Sequence, residues 1–152
     1  EVGLDTNGRK NRGGKAMERI VGDILQEYAQ NYGYLLLKEA TAPIIRSEWG
    51  IQVNVDKTSR RFDFAVHNTA SGSLTLFETN FYNSGGSKLK STCGEYVRLN
   101  SILNEQGFNF VWITDGDGWR TAFRPLHEAY SDIDYVFNLR MLEEGALDDI
   151  AW

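Results

Sequence analysis

Apolar positions along the chain follow two rhythms. Between Lys15 and Tyr32, residues Ala16, Met17, Ile20, Val21, Ile24, Leu25 and Tyr28 recur at helical spacing and make one wide stripe. Gly22 interrupts the stripe at modest cost, and Asn31 with Gly33 provides an end. Tyr34–Leu37 reads as a short buried strand. Ile51–Val55, where Ile51, Val53 and Val55 alternate with Gln52 and Asn54, reads as another. The segment between them, Glu39–Gly50, holds Pro43, Trp49 and Gly50 and yields no clear element.

Period-two alternation is strongest further on. Phe62, Phe64 and Val66 alternate with Asp63, Ala65 and His67. In the next strand Leu74, Leu76, Glu78 and Asn80 share one parity, and Thr75, Phe77 and Thr79 share the other. Asn68–Ser73 supplies the Asn, Ser and Gly of a hairpin connection. A hairpin of this length brings Asp63 within reach of Glu78. Two carboxylates meeting near a strand end, ahead of the polar glycine loop around Gly85-Gly86, suit a divalent cation, although such residues are more often solvated.

After that loop, Lys88–Gln106 is expected as a helix burying Leu89, Cys93, Tyr96, Val97, Leu99, Ile102 and Leu103. Phe108–Ile113 reads as a buried strand, Thr114–Trp119 as a glycine turn, and Leu126–Tyr130 and Leu139–Leu147 as short helices. Helix, strand meander, helix, strand and further helices predict an α/β fold, a mixed sheet with helices on both faces.

Composition narrows the class. A chain of 152 residues with 41% hydrophobic content suits one domain over residues 1–152 with one real core. The single Cys93 excludes an internal disulfide framework and a cysteine-rich zinc module, and it points to a reducing, cytoplasmic compartment. No apolar run is long enough to cross a bilayer, and the first residues lack a signal-peptide core. An opening Glu1 instead of Met suggests a processed chain or a fragment without its N-terminal region.

Net charge is −5, but it is unevenly spread. Residues 1–100 hold 13 Lys/Arg against 11 Asp/Glu, while residues 101–152 hold 3 against 10. The acidity belongs to the last third, so a local basic surface for nucleic acid stays open. Arg9, Lys10 and Arg12 sit in the glycine-rich stretch Gly3–Gly14, which reads as a flexible leader or a phosphate clamp, with Lys15 just beyond. Lys57, Arg60 and Arg61 decorate the turn into the Asp63 strand, either as solvated charges or facing a phosphate backbone. Lys88 and Lys90 lie in the first turn of their helix, where cations oppose the helix dipole and an anionic partner would relieve the conflict. Glu18, off the apolar stripe, is either a solvated helix residue or a second-shell group for a metal.

Four stretches carry a family likeness: Gly3–Val21 (GLDTNGRKNRGGKAMERIV), Phe62–Val66 (FDFAV), Leu76–Tyr96 (LFETNFYNSGGSKLKSTCGEY) and Trp112–Trp119 (WITDGDGW). With them the chain resembles the C-terminal, catalytic part of the DpnII/MboI family of type II restriction endonucleases. The resemblance implies the restriction-endonuclease-like PD-(D/E)xK fold, a mixed central sheet flanked by helices (α/β/α). It also implies Mg²⁺-dependent double-strand cleavage at or near 5′-GATC-3′, with Mn²⁺ as a substitute, and a homodimer on a palindromic site. Phe62 stands where the motif's name has Pro, and Asn80 occupies the slot usually held by Lys. An amide brings no positive charge.

On that likeness Asp63, Glu78 and the Thr79 carbonyl are expected to hold the cation. Asn80 would position the attacking water, and Lys88 or Lys90 would supply the missing charge. His67 shares the parity of Asp63 but matches no nucleophile pattern, nor does His127; Cys93 is expected in the core. Two other readings remain: a DNA-binding module that has kept the fold without cleavage, and a structure-specific repair nuclease on the same core.

Overall fold

A computed structural model describes the backbone of residues 6–152 and the side chains from residue 13 onward. It begins with helix α1 (Thr6–Tyr32), so from Thr6 onward the stretch read as a leader or clamp is helical. The apolar stripe buries Met17, Val21 and Leu25, as its spacing predicts, while Ile20 stays partly exposed. Strand β1 (Leu35–Thr41) and helix α2 (Ala42–Trp49) follow. The ambiguous Glu39–Gly50 segment thus contains a capped helix. The Thr41 hydroxyl accepts a hydrogen bond from Ile44 N–H, Pro43 sits in the first turn, and Gly50 closes the helix in the left-handed conformation.

The hairpin is β2 (Arg61–Asn68) and β3 (Ser73–Phe81), then come α3 (Ser87–Glu105) and β4 (Asn109–Asp115). A 3₁₀ turn (Asp117–Arg120) leads into α4 (Phe123–Asp132), β5 (Tyr135–Phe137) and α5 (Leu139–Glu143), with a last 3₁₀ turn at Ala146–Asp149. Strand order follows the chain from β1 to β5; the first three strands are antiparallel, and β3–β4 and β4–β5 are parallel. Parallel neighbours require crossovers, which α3 and α4 provide.

Two apolar clusters flank the sheet. One face packs Leu74, Leu76, Phe62 and Trp112 against Leu89, Tyr96 and Leu99 of α3 and Ala129 of α4. The other packs Phe64, Val66, Phe77 and Val111 against Met17, Val21 and Leu25 of α1 and Leu142 of α5. The α/β/α expectation holds.

Ile51–Val55 is not a strand, a correction to the alternation reading. Ile51, Val53 and Val55 do pack into the cluster on the α3 side. The backbone of Asn54, however, is satisfied by the Gln106 side chain, which accepts from its N–H at 2.8 Å and donates to its carbonyl at 2.9 Å. A side-chain amide takes the place of a ladder partner for this segment. The 139–147 segment is likewise not one helix, since α5 ends at Glu143 and Gly145 at φ +96° turns the chain into the 3₁₀ turn.

Candidate functional site

The site is built where two regular ladders fail. Between β2 and β3 the pairing runs from Asn68↔Ser73 to Phe64↔Phe77 and stops. At the next step side chains take over from carbonyls. Asp63 N–H donates to Glu78 Oε1 at 3.1 Å, and Thr79 N–H and Oγ1–H both donate to Asp63 Oδ2, at 2.8 and 2.9 Å. Each carboxylate thus holds the opposite strand's backbone, and the hairpin forks.

Between β1 and β2 the Glu39/Asp63 pair drops out of an otherwise continuous register, Lys38↔Phe64 on one side and Ala40↔Phe62 on the other. Glu39 has φ +51°, a left-handed backbone that costs a non-glycine residue about 1 kcal/mol or more. Both strands consequently skip a face together. Leu37 and Ala40 pack toward α3, as do Phe62 and Ala65, while the residues between them, Lys38, Glu39, Asp63 and Phe64, line one pocket toward α1. The simple alternation that put Phe62 and Phe64 on one face is corrected by this paired kink. Its effect is to turn Asp63 toward α1. The pocket, about 340 Å³, is completed by Lys15, Glu18, Arg19 and neighbouring α1 residues.

Glu78 keeps its expected parity and faces α3. It is 6% exposed, and its Oε2 accepts from the Tyr96 hydroxyl at 3.0 Å and from Arg60 at 3.5 Å. Arg60 is equally buried and forks onto both oxygens of Asp56, at 3.0 and 2.7 Å, while also bonding Glu95. This is not the placement expected of a phosphate contact. The guanidinium is sequestered by three carboxylates, those of Glu78, Asp56 and Glu95, which its planar fork suits. Lys57 joins the same group through Glu95 at 3.2 Å.

Charge is unevenly balanced across the fork. Burial, and then the negative charge of Asp63, push the Glu78 carboxyl up to about 8. Burial also raises Asp63. Glu18 is raised by burial and then by Asp63, an electrostatic link that brings it into the neighbourhood of the site. A chain of carboxylates that disfavour one another's ionisation is what a cation of hard-oxygen preference relieves. Among the described residues no three His, Cys, Asp or Glu side chains converge closely enough to hold a metal. A cation here would therefore rely on Asp63 and Glu78 together with backbone, substrate and water oxygens. Asp63 Oδ1 accepts no hydrogen bond among the described residues, and Asp63 lines the α1 pocket.

The other expected residues are dispersed. Asn80 follows Glu78 on the α3 side, where its Oδ1 accepts from Trp112 Nε1 at 2.6 Å and its amide lies beside the Tyr96 hydroxyl. Lys15 lines the Asp63 pocket. Arg61 is exposed and lies 4.0 Å from Glu39. Lys88 and Lys90 are exposed in the first turn of α3. The side chains of Arg9, Lys10 and Arg12 lie outside the described residues. His67 is away from the fork, its Nδ1 3.0 Å from the Ser73 carbonyl and its ring beside Trp49. Cys93 is buried, and burial pushes its thiol up to about 11.

Residues 1–149 match the family model described as DpnII restriction endonuclease. The chain belongs to the DpnII restriction endonuclease family. Among its relatives, the type II restriction enzyme LlaDCHI of Lactococcus lactis subsp. cremoris is 47% identical over 99% of this chain and 50% of its own length. The type II restriction enzyme DpnII of Streptococcus pneumoniae is 37% identical over 99% of this chain and 53% of its own. The chain thus spans about half the length of the curated relatives it matches. The solved structure of MunI restriction endonuclease in complex with cognate DNA aligns over 69% of this chain and 71% of its own, at 12% identity and a TM-score of 0.41.

Within this DpnII-family chain, sequence reasoning missed Lys38 and Glu39 in the Asp63 pocket and Arg60 with Tyr96 behind Glu78. Tyr96 lay inside a predicted apolar stripe, and a phenol there demands a polar partner. Asp56 and Arg60, at i,i+4 in a turn, were the other usable signal. Nothing in the sequence announces a left-handed glutamate.

Proposed function

We propose that the chain is the catalytic part of a type II restriction endonuclease that cuts both strands of DNA at or near 5′-GATC-3′ with Mg²⁺, Mn²⁺ substituting. The observation that carries this reading is the reciprocal carboxylate–amide fork of Asp63 and Glu78, with unbalanced charge, on a chain of this family. Asp63, in the α1 pocket with Glu18 behind it, would take the cation; Glu78, whose Oε1 reaches the Asp63 N–H across the fork, and the Thr79 carbonyl would complete the set once the Glu78 proton is displaced. Bound there, Mg²⁺ supplies a water acidified for attack and stabilises charge on the phosphate. Asn80 uses its amide donors to orient that water or a phosphate oxygen, since its Oδ1 belongs to Trp112. Lys88 or Lys90 supplies charge at the scissile phosphate, and Lys15 and Arg61 neutralise the backbone alongside. A palindromic site cut on both strands calls for two copies related by a two-fold axis.

Asp63→Ala and Glu78→Ala, assayed for cutting and for DNA binding in parallel, test the site. The expected result is loss of Mg²⁺-dependent cutting with binding retained, whereas unchanged cutting by either variant sinks it. Asn80→Lys is expected to keep or raise activity.

One observation favours a second reading, a DNA-binding module without cleavage. Glu78 is held by Tyr96 and Arg60, and no lysine occupies position 80. Plasmid incubated with Mg²⁺ or Mn²⁺ separates the two: a binder retards the DNA without nicking it.

A further inference from the structure

Phe123 is the most exposed large apolar side chain among the described residues, at 65%. It begins α4, whose inner side packs through Leu126 and Ala129, so the core does not need it. One turn on, the ring of exposed His127 stacks on it, 5.7 Å between centroids and 21° between planes. Arg120, in the turn before α4, and Arg124, next to Phe123 in the chain, are both exposed. Arg120 has only a 3.7 Å contact to exposed Asp117 among the described residues. The acidic last third of the chain, residues 101–152, contains three basic residues, and two of them are these.

The patch is fixed to the site by backbone. Tyr82 N–H donates to the Asp115 carbonyl at 3.0 Å and Gly118 N–H to the Tyr82 carbonyl at 2.9 Å. A Cβ on Gly116, at φ +113°, or on Gly118 would strike the backbone of Tyr82 or Ser84, so only glycine allows this approach. Gly85 packs against Thr121. The loop that follows Glu78 and Asn80 is therefore tied to the turn that leads into α4 and Phe123, and Lys88 and Lys90 begin the helix on the other side of that loop.

Resting on the nuclease reading, we propose that Arg120, Phe123, Arg124 and His127 form a contact surface for double-stranded DNA beside the scissile site. The arginines take phosphates, and the aromatic plane packs on a deoxyribose of the backbone. Rings already stacked on each other offer an apolar contact with little ordering cost, and the exposed guanidiniums match the polyanion.

The test is fluorescence anisotropy of a labelled GATC duplex with the chain in Ca²⁺, across a salt series. Phe123→Ala is expected to weaken binding by roughly 5-fold or more, with Phe123→Trp restoring it. Arg120→Gln and Arg124→Gln are each expected to reduce the slope of log affinity against log salt by about 1. Unchanged affinity and slope in variants of a chain that binds overturn the surface alone. No binding by the unaltered chain overturns both the surface and the nuclease reading. A loss of affinity that sedimentation traces to lost self-association also overturns it, because the patch would then join two copies of the chain.

Discussion

On the α3 side of the sheet, Arg60 answers the negative charge around Glu78, with Asp56 and Glu95 sharing the guanidinium and Tyr96 donating to the same carboxylate. On the α1 side, Asp63 lines a pocket that also holds Glu18 and Glu39, with only exposed cations nearby. The two carboxylates are neighbours on paired strands, yet one is built into a closed network and the other faces an open cavity. A closed network fixes position; an open one leaves room for a ligand to complete the charge. The difference separates what orients the site from what receives the substrate.

The sharpest way to break this contrast is to neutralise each side in turn. Asp63→Asn is expected to lower cutting by about a thousandfold or more while leaving the melting temperature unchanged or higher, since it removes a carboxylate that raises its neighbours. On the closed side, Arg60→Met is expected to cost about 3–5 kcal/mol in urea unfolding, because it strands buried Glu78 and leaves Asp56 and Glu95 without their partner. If Asp63→Asn instead unfolds the chain and Arg60→Met does not, the assignment of roles is reversed.

pH sharpens the same comparison. The Glu78 carboxyl, raised to about 8 against an ordinary value of 4.5, holds a proton in the folded chain that the unfolded chain has lost between those values. Its contribution is therefore full below pH 4.5 and disappears as pH rises through about 8; Asp63 and Glu18 act with the same sign. Asp56 and Glu95 are lowered, foremost by their bonds to Arg60, so their contribution is present above the ordinary carboxylate range and lost below it. Metal-free protein is expected to be most stable in the mildly acidic range, with Mg²⁺ flattening the alkaline decline; stability that rises steadily to pH 8 contradicts this. The smallest effect belongs to Arg61→Met, about 0.5 kcal/mol or less, because its 4.0 Å pair with Glu39 is exposed on both sides.

How far the sequence reveals this site depends on which residues are asked about. Asp63 and Glu78 were legible because the hairpin's turn residues and alternation fix which positions meet. The helices α1 and α3 were legible from long stripes that no competing signal disturbs. Phe62 was misassigned because a kink in β1 and a kink in β2 compensate each other, leaving the register intact and the faces changed. Ile51–Val55 failed for another reason: alternation records which side is buried and says nothing of whether carbonyls or a glutamine complete the backbone. Arg60 was misjudged because burial of a charge depends on partners that fold in from positions 56, 78 and 95.

The fork has one more property. The amide protons of Asp63 and Thr79 are donated to carboxylates, where a regular hairpin would give them carbonyls. Those two backbone resonances should shift in nuclear magnetic resonance spectra whenever a proton or a cation reaches the acids, reporting from each strand on its neighbour's side chain. The protein carries its own pair of spectroscopic probes for occupancy, with no label introduced.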